Sequence, residues 1–323
     1  MVCKALDRRF FITLCGLLIL MSSYSQAQKY PDRPIRYLVT DQPGSSIDVL
    51  GRIIAEKLAT ELNQSIIVDN RPGAGGNIGA DIASKAVPDG YTLVQLATTH
   101  LANSYLYKNL PYNLQKDFVP ITQLASSPSV LVVPNTLAIK TLPDFIQVAK
   151  SKPEALQYAS AGTGTCTFLA AELFKKQTGV DMMHIPYKGG APAMTSVLAG
   201  ETSAYFSPIG PSLQHIRQGT LKALAVSSPK RLPLLPDVKT FAESGLSNYQ
   251  FSCWYGLFLQ TNTPKQIQEQ IFKAITNVLN NPDTKKLLID QGFIPIGNKQ
   301  EEFSNIIRND LEIFRDFVKE IPN

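Results

Sequence analysis

Two short stretches of this chain carry residue types suited to holding an anion. In 40–48, TDQPGSSID, an apolar run stops at Asp41-Gln42-Pro43-Gly44, two serines follow, and an amphipathic pattern begins near Asp48. In 158–168, YASAGTGTCTF, a second apolar run enters Ala161-Gly162-Thr163-Gly164-Thr165-Cys166-Thr167 before another helical pattern. The first N–H groups of a helix have no partner within the helix, so a helix start is a natural seat for a carboxylate. Glycine admits a ligand close to the backbone, and hydroxyls add hydrogen bonds. Each stretch alone also fits a plain strand-to-helix turn, with Ser46 as a simple N-cap. Asp48, in the first turn, opposes an anion unless it faces away and fixes the loop. Two such turns, far apart in sequence, favour a clamp on a small anion.

Other chemistry finds little purchase. There is no G-x-S-x-G, and the three histidines, His100, His184 and His215, stand in no metal-ligand spacing with another His or Cys. His184 lies in an apolar strand pattern and reads as a packed, hydrogen-bonded residue. Gly73, Gly75 and Gly79 follow an apolar run, but Asn70-Arg71-Pro72 intervenes and no acidic residue lies near position 95 to hold a ribose. That stretch reads as a glycine turn feeding a helix. Neither cofactor nor metal is expected. The single tryptophan, Trp254, sits beside Tyr255 and either walls a cleft or fills a core, with the cleft favoured.

These loops need elements to position them. Short β-branched runs at 35–40, 66–69 and 91–97 alternate with helical spacings such as Val49, Leu50, Ile53, Ile54, Leu58 and Leu62. The rhythm returns with strands at 156–160, 182–186, 202–206 and 221–226, separated by helices near 165–178, 190–199 and 211–218. Strand–helix–strand alternation argues for mostly parallel sheets flanked by helices. Two breaks interrupt it, at 118–134 around Ser126-Ser127-Pro128 and at 227–236, before a strand at 251–260. They suggest crossings between two α/β lobes, with the ligand in the cleft between them. The expected lobes are 28–128 plus about 228–323, and about 129–227.

Lys4, Arg8 and Arg9, an apolar run at 10–21 and Ser25-Gln26-Ala27 read as a secretory signal over 1–27, cleaved after Ala27. Arg8-Arg9-Phe10-Phe11 also resembles a twin-arginine signal. Periplasmic export follows from either. The net charge of +5 is scattered along 323 residues, with no basic stripe for nucleic acid. A monomer is expected. Cys166 and Cys253 remain after export. An oxidising compartment permits a bond between them, while free buried thiols are the default.

Beyond these features, the chain resembles the Bug family, the TctC-type extracytoplasmic solute receptors of tripartite tricarboxylate transporters. The resemblance rests on Asn70-Arg71-Pro72-Gly73-Ala74-Gly75-Gly76, Pro88-Asp89-Gly90-Tyr91-Thr92-Leu93, Tyr158-Ala159-Ser160-Ala161-Gly162, His184-Ile185-Pro186-Tyr187-Lys188-Gly189 and Trp254-Tyr255-Gly256-Leu257, among other ordered matches. It implies a two-lobed, type II-like periplasmic binding protein that closes on a small carboxylate and delivers it to membrane transporter subunits. A sensor feeding a two-component system, or a hydrolase on the same scaffold, are the alternatives. The expected ligand residues are Gly44, Ser45, Ser46, Asp48, Thr99, Ser160, Gly164, Thr165, Cys166, Thr167, Ser207 and Trp254. Ser45 stands where the family commonly has Gly, Cys166 where Ser is frequent, Phe168 where His is common, and Ser207-Pro208 replace a frequent Asp-Asn. Those departures point to a monocarboxylate or aromatic acid rather than an amino acid.

Overall fold

The computed structural model describes residues 30–152 and 156–319, so the expected signal at 1–27 lies outside the described residues. The apolar run Ile35–Val39 forms β1, buried at four of its five positions. It pairs in parallel with β2 (Ile66–Asn70) on one side and β3 (Thr92–Ala97) on the other. Between β1 and β2 runs α1 (Ser46–Leu62). Its Ile47, Leu50, Ile54 and Leu58 recur at helical spacing and are buried. Gly51 lets this helix lie against the sheet, because a Cβ there would meet the Val39 side chain at 2.8 Å. Asn63, in the left-handed region, ends α1. After β2, the glycine turn leads into α2 (Asn77–Ser84), and β3 runs directly into α3 (Thr98–Leu106).

A short helix, α4 (Leu114–Asp117), precedes β4 (Phe118–Pro134), a strand of 17 residues. Residues 118–128 of β4 pair antiparallel with β9 (Ser252–Gln260), which pairs with β3. From Ser129 onward β4 instead pairs with β7 (Ala204–Pro208), and from Val130 also with β8 (Leu221–Val226). The two strand-like runs expected around Pro128 are thus one strand that leaves one sheet and enters another. The second sheet continues from β7 to β5 (Gln157–Ser160) and β6 (Met183–Pro186), all parallel. α5 (Leu142–Ser151), α6 (Cys166–Thr178), α7 (Gly190–Ala199) and α8 (Ile209–Arg217) alternate with these strands. Each sheet is mixed rather than mostly parallel throughout, since β4, β9 and the two-residue β10 (Ile294–Pro295) add antiparallel pairings. The architecture is that of a two-lobed, type II-like binding protein.

The chain ends in α9 (Lys265–Asn280), α10 (Pro282–Asp290) and α11 (Gln300–Lys319). α11 buries Phe303, Ile307, Leu311, Phe314 and Phe317 in one stripe, packed against α3 and β4. Each such side chain contributes roughly 1.5–3 kcal/mol by leaving water. A second aromatic group, Phe174, Phe206, Phe241 and Tyr249, fills the space beside α6. Among the described residues, no helix is long and apolar enough to cross a membrane.

Candidate functional site

The loops that follow β1, β3, β5, β6 and β7 face a common cavity of about 940 Å³. Clefts beyond strand ends, where the chain changes sheet, are the usual ligand sites of α/β folds. Four of the helices that begin at this cavity are α1, α6, α7 and α8. Only α1 has a side-chain cap, with the Asp48 N–H donating to Ser45 Oγ at 3.4 Å. The residues preceding the other three, Thr165, Gly189 and Pro208, offer no side-chain cap. Their first N–H groups have no partner within the helix, although Pro192 in α7 and Pro211 in α8 carry none. Each helix start favours a nearby anion by roughly 0.3–1 kcal/mol.

The β1–α1 loop is held from behind by Asp48. Its carboxylate accepts from the Gly44 N–H (2.8 Å), Arg52 Nε (2.9 Å) and Asn70 Nδ2 (2.9 Å). Burial alone would raise its pKa, but the bonds from Arg52, Gly44 and Asn70 together hold it below the usual carboxylate range. Gly44, at φ +82°, makes the turn that aims its N–H at this carboxylate. Asp48 thus faces away from the cavity and fixes the loop. The acid that does line the cavity is Asp41, whose pKa is raised by burial against the opposing effect of the Gln42 N–H and Ser45.

The β5–α6 loop is tied by its own hydroxyls. Thr165 Oγ1 donates to the Gly162 carbonyl (2.6 Å), and the Ala161 N–H donates to Thr167 Oγ1 (2.9 Å). Thr165 and Thr167 hydroxyls lie 3.0 Å apart. Cys166, the first residue of α6, is disulfide-bonded to Cys253 of β9, with Cα atoms 5.9 Å apart. The default of two free thiols is therefore overturned, and Cys166 is no weak thiol donor. The bond joins the second sheet's ligand loop to a strand of the first sheet. Across the cavity mouth, Gln42 Nε2 donates to the Lys188 carbonyl at 2.9 Å, so loops of both sheets already touch.

Of the expected ligand residues, Gly44, Ser45, Ser46, Thr99, Thr165, Cys166 and Thr167 line the cavity. The other five do not. Asp48 is turned inward, as described. Ser160 is fully buried behind its loop, within 2.6 Å of His184 Nε2 and accepting from the Gly162 N–H. Gly164 packs against the Asn103 side chain. Ser207 is fully buried and donates to the Pro208 carbonyl at 2.9 Å. Trp254 is a core residue. Its indole donates to Asp310 Oδ2 (2.8 Å) and its ring meets Phe303 edge-on at 5.1 Å. Strand alternation explains the error, since Cys253 and Tyr255 share the cavity face of β9 while Trp254 takes the opposite face. Phe168 is likewise buried, against His184, and does not set the cavity's polarity.

Sequence reasoning missed three parts of the lining. The turn at 72–76 contributes Pro72, Gly73, Ala74, Gly75 and Gly76, and the β6–α7 loop contributes Tyr187, Lys188, Gly189 and Gly190. A glycine run before each helix was the available signal. Tyr205 and Tyr255 face the cavity from the two sheets; the aromatic pair Trp254-Tyr255 marked the second as a cleft wall, and nothing in the sequence marked the first. Tyr205 interacts with Thr167 and Tyr255 with Ser46. His100 also borders the cavity. Desolvation lowers its pKa to about 4, keeping it neutral, with the Ala97 N–H donating to its Nδ1 at 3.1 Å. His184, stacked on Tyr158 at 4.8 Å, is the packed residue expected. Among the described residues, no group of three or more His, Cys, Asp or Glu is placed to hold a metal ion.

Comparison with known proteins agrees with this geometry. Residues 50–322 match the family described as tripartite tricarboxylate transporter family receptor. Protein BugT of Bordetella pertussis is 32% identical over 312 residues, covering 96% of this chain and 94% of that protein. An R. palustris protein, Rpa4515 with adipate, superposes with a TM-score of 0.86 at 28% identity, over 90% of this chain and 97% of the other. MatC from Rhodopseudomonas palustris with bound malate gives 0.84 at 28% identity, over 90% of this chain and all of the other.

Proposed function

Because this chain belongs to the tripartite tricarboxylate transporter family of receptors, we propose that it captures a small organic carboxylate between its lobes and hands it to membrane transporter subunits. It does so unchanged, with no reaction catalysed. One observation carries the reading: the starts of α6, α7 and α8, none of them capped by a side chain, converge with the Ser45, Ser46, Thr165 and Thr167 hydroxyls on a single cavity. That set of donors suits a carboxylate, and both adipate and malate, the ligands of the two similar structures, carry carboxylates. A cavity of about 940 Å³ exceeds a small acid, so bridging waters complete the contacts at little cost.

In this reading, residues 28–128 with about 228–323 form one lobe and about 129–227 the other. The receptor works as a monomer in the periplasm, exported by the segment 1–27. The ligand contacts are Gly44, Ser45, Ser46, Thr99, Thr165 and Thr167, with Gly189 added. A panel of mono-, di- and tricarboxylates tested by thermal shift checks it. A ligand at 100 times its Kd stabilises the fold by about 2.7 kcal/mol. Thr165→Val with Thr167→Val should abolish most of that gain. Absence of stabilisation by any carboxylate, or turnover of the ligand, overturns the reading.

A further inference from the structure

The cavity is lined by hydrogen-bond donors, yet it also contains an acid. Asp41 is the one Asp or Glu among the described lining residues. Its Oδ1 accepts from the Gln42 N–H at 2.7 Å, and Ser45 supplies a second hydrogen bond. A carboxylate has about four acceptor positions, so two contacts leave it with capacity to spare. Among the described residues it makes no salt bridge. Lys188, the one Lys or Arg among the described lining residues, is exposed at the mouth and donates no bond to it. Tyr205 from β7 and Tyr255 from β9 both lie close enough to feel the charge of Asp41, and both border the cavity.

Such an arrangement works against a purely anionic ligand. The start of α1 and Ser45 attract a carboxylate, while the neighbouring Asp41 repels it, and partial burial leaves that repulsion poorly screened. A positive charge on the ligand removes the conflict.

Resting on the receptor reading above, we propose that Asp41 selects the ligand class: a carboxylate that also carries an amino or alkylammonium group, with that cation held by Asp41 between Tyr205 and Tyr255. This reverses the preference drawn from sequence. There, Ser207 in place of an acid argued against an amino group. The Ser207 side chain is fully buried and bonded to the Pro208 carbonyl, so its identity says nothing about the ligand. The acid is supplied from the facing loop instead.

Matched pairs test the assignment: aspartate against succinate, γ-aminobutyrate against butyrate, and β-alanine against propionate. Each is titrated into the wild type and Asp41→Asn by calorimetry at neutral pH. For the pair that binds, the aminated member should bind the wild type about tenfold tighter or more, and Asp41→Asn should erase or invert that ratio. Equal binding of both members, or a ratio unchanged in the variant, overturns the proposal while leaving a carboxylate receptor in place. No binding of any carboxylate to the wild type brings down the receptor reading, and this inference with it. Should Asp41→Asn fail to fold, proton uptake by the wild type decides. One proton taken up with each plain carboxylate, together with tighter binding at acid pH, would make Asp41 a protonated partner of an anion and overturn the proposal. Tighter aminated binding with no proton uptake supports it.

Discussion

Breaking the Cys166–Cys253 bond should cost this protein a large part of its stability. The bond closes a loop of 87 residues. In the chain-entropy description, a crosslink over that span removes freedom from the unfolded chain worth about 4.5 kcal/mol at 25 °C. Measured losses run from about 2 to 5 kcal/mol. The Cα separation of 5.9 Å lies within the ordinary disulfide range. Urea unfolding should therefore show the double variant Cys166→Ser, Cys253→Ser less stable than the oxidised wild type by about 2–5 kcal/mol. The melting temperature should fall by roughly 2–4 °C for each kcal/mol lost. Adding a phosphine reductant should bring the wild type down to the level of the variant and leave the variant unmoved. Alkylation followed by peptide mapping reports the bond directly, because both cysteines should resist labelling until reduced. If both label without reductant, or if reductant leaves the wild-type midpoint in place, the reasoning fails.

Other outcomes follow from the same geometry. Asp48→Asn leaves the Gly44 N–H and Arg52 without a charged acceptor and should lower stability by about 2–3 kcal/mol. Since the folded pKa of Asp48 lies below its unfolded value, its contribution is complete above about pH 4 and fades as pH falls further, so the variant should show a shallower acid limb in urea titrations. His100 carries a folded pKa of about 4 against an ordinary 6.5, so its neutral burial supports the fold above that ordinary value and is lost as pH falls toward 4. The loss should reach on the order of 3 kcal/mol at ~1.36 per pH unit, and His100→Gln should flatten the wild-type stability curve over that interval. Trp254→Phe removes the bond to Asp310 and should cost about 1.5–3 kcal/mol in urea. It should leave ligand-induced thermal shifts unchanged, and a loss of those shifts would return Trp254 to the cleft.

The amino-acid sequence by itself determined the alternation of elements and the two loops that matter most. The run Ile35 to Val39 was legible as a strand because it is a short β-branched and apolar segment ended by Pro43-Gly44. Helix α1 was legible because Leu50, Ile54 and Leu58 keep helical spacing. The glycines and hydroxyls of 40–48 and 158–168 mark helix starts, since those residue types suit a turn that leaves N–H groups open. These are local properties, set within one turn or one strand.

What the tertiary structure decided was which distant groups meet. Trp254 and Tyr255 are neighbours with similar sequence signals, yet they lie on opposite faces of β9, and what covers each face depends on α11 and on the second sheet. Cys166 and Cys253 are joined because β4 carries the chain from one sheet to the other beside β9. Asp48 and Asp41 are both acids near one turn, and only the placement of Arg52 and Asn70 sends the first inward while the second borders the cavity. Periodicity is a property of neighbouring residues and survives in the sequence. Proximity across 87 residues is a property of the chain's path, fixed by packing among elements that no single segment contains.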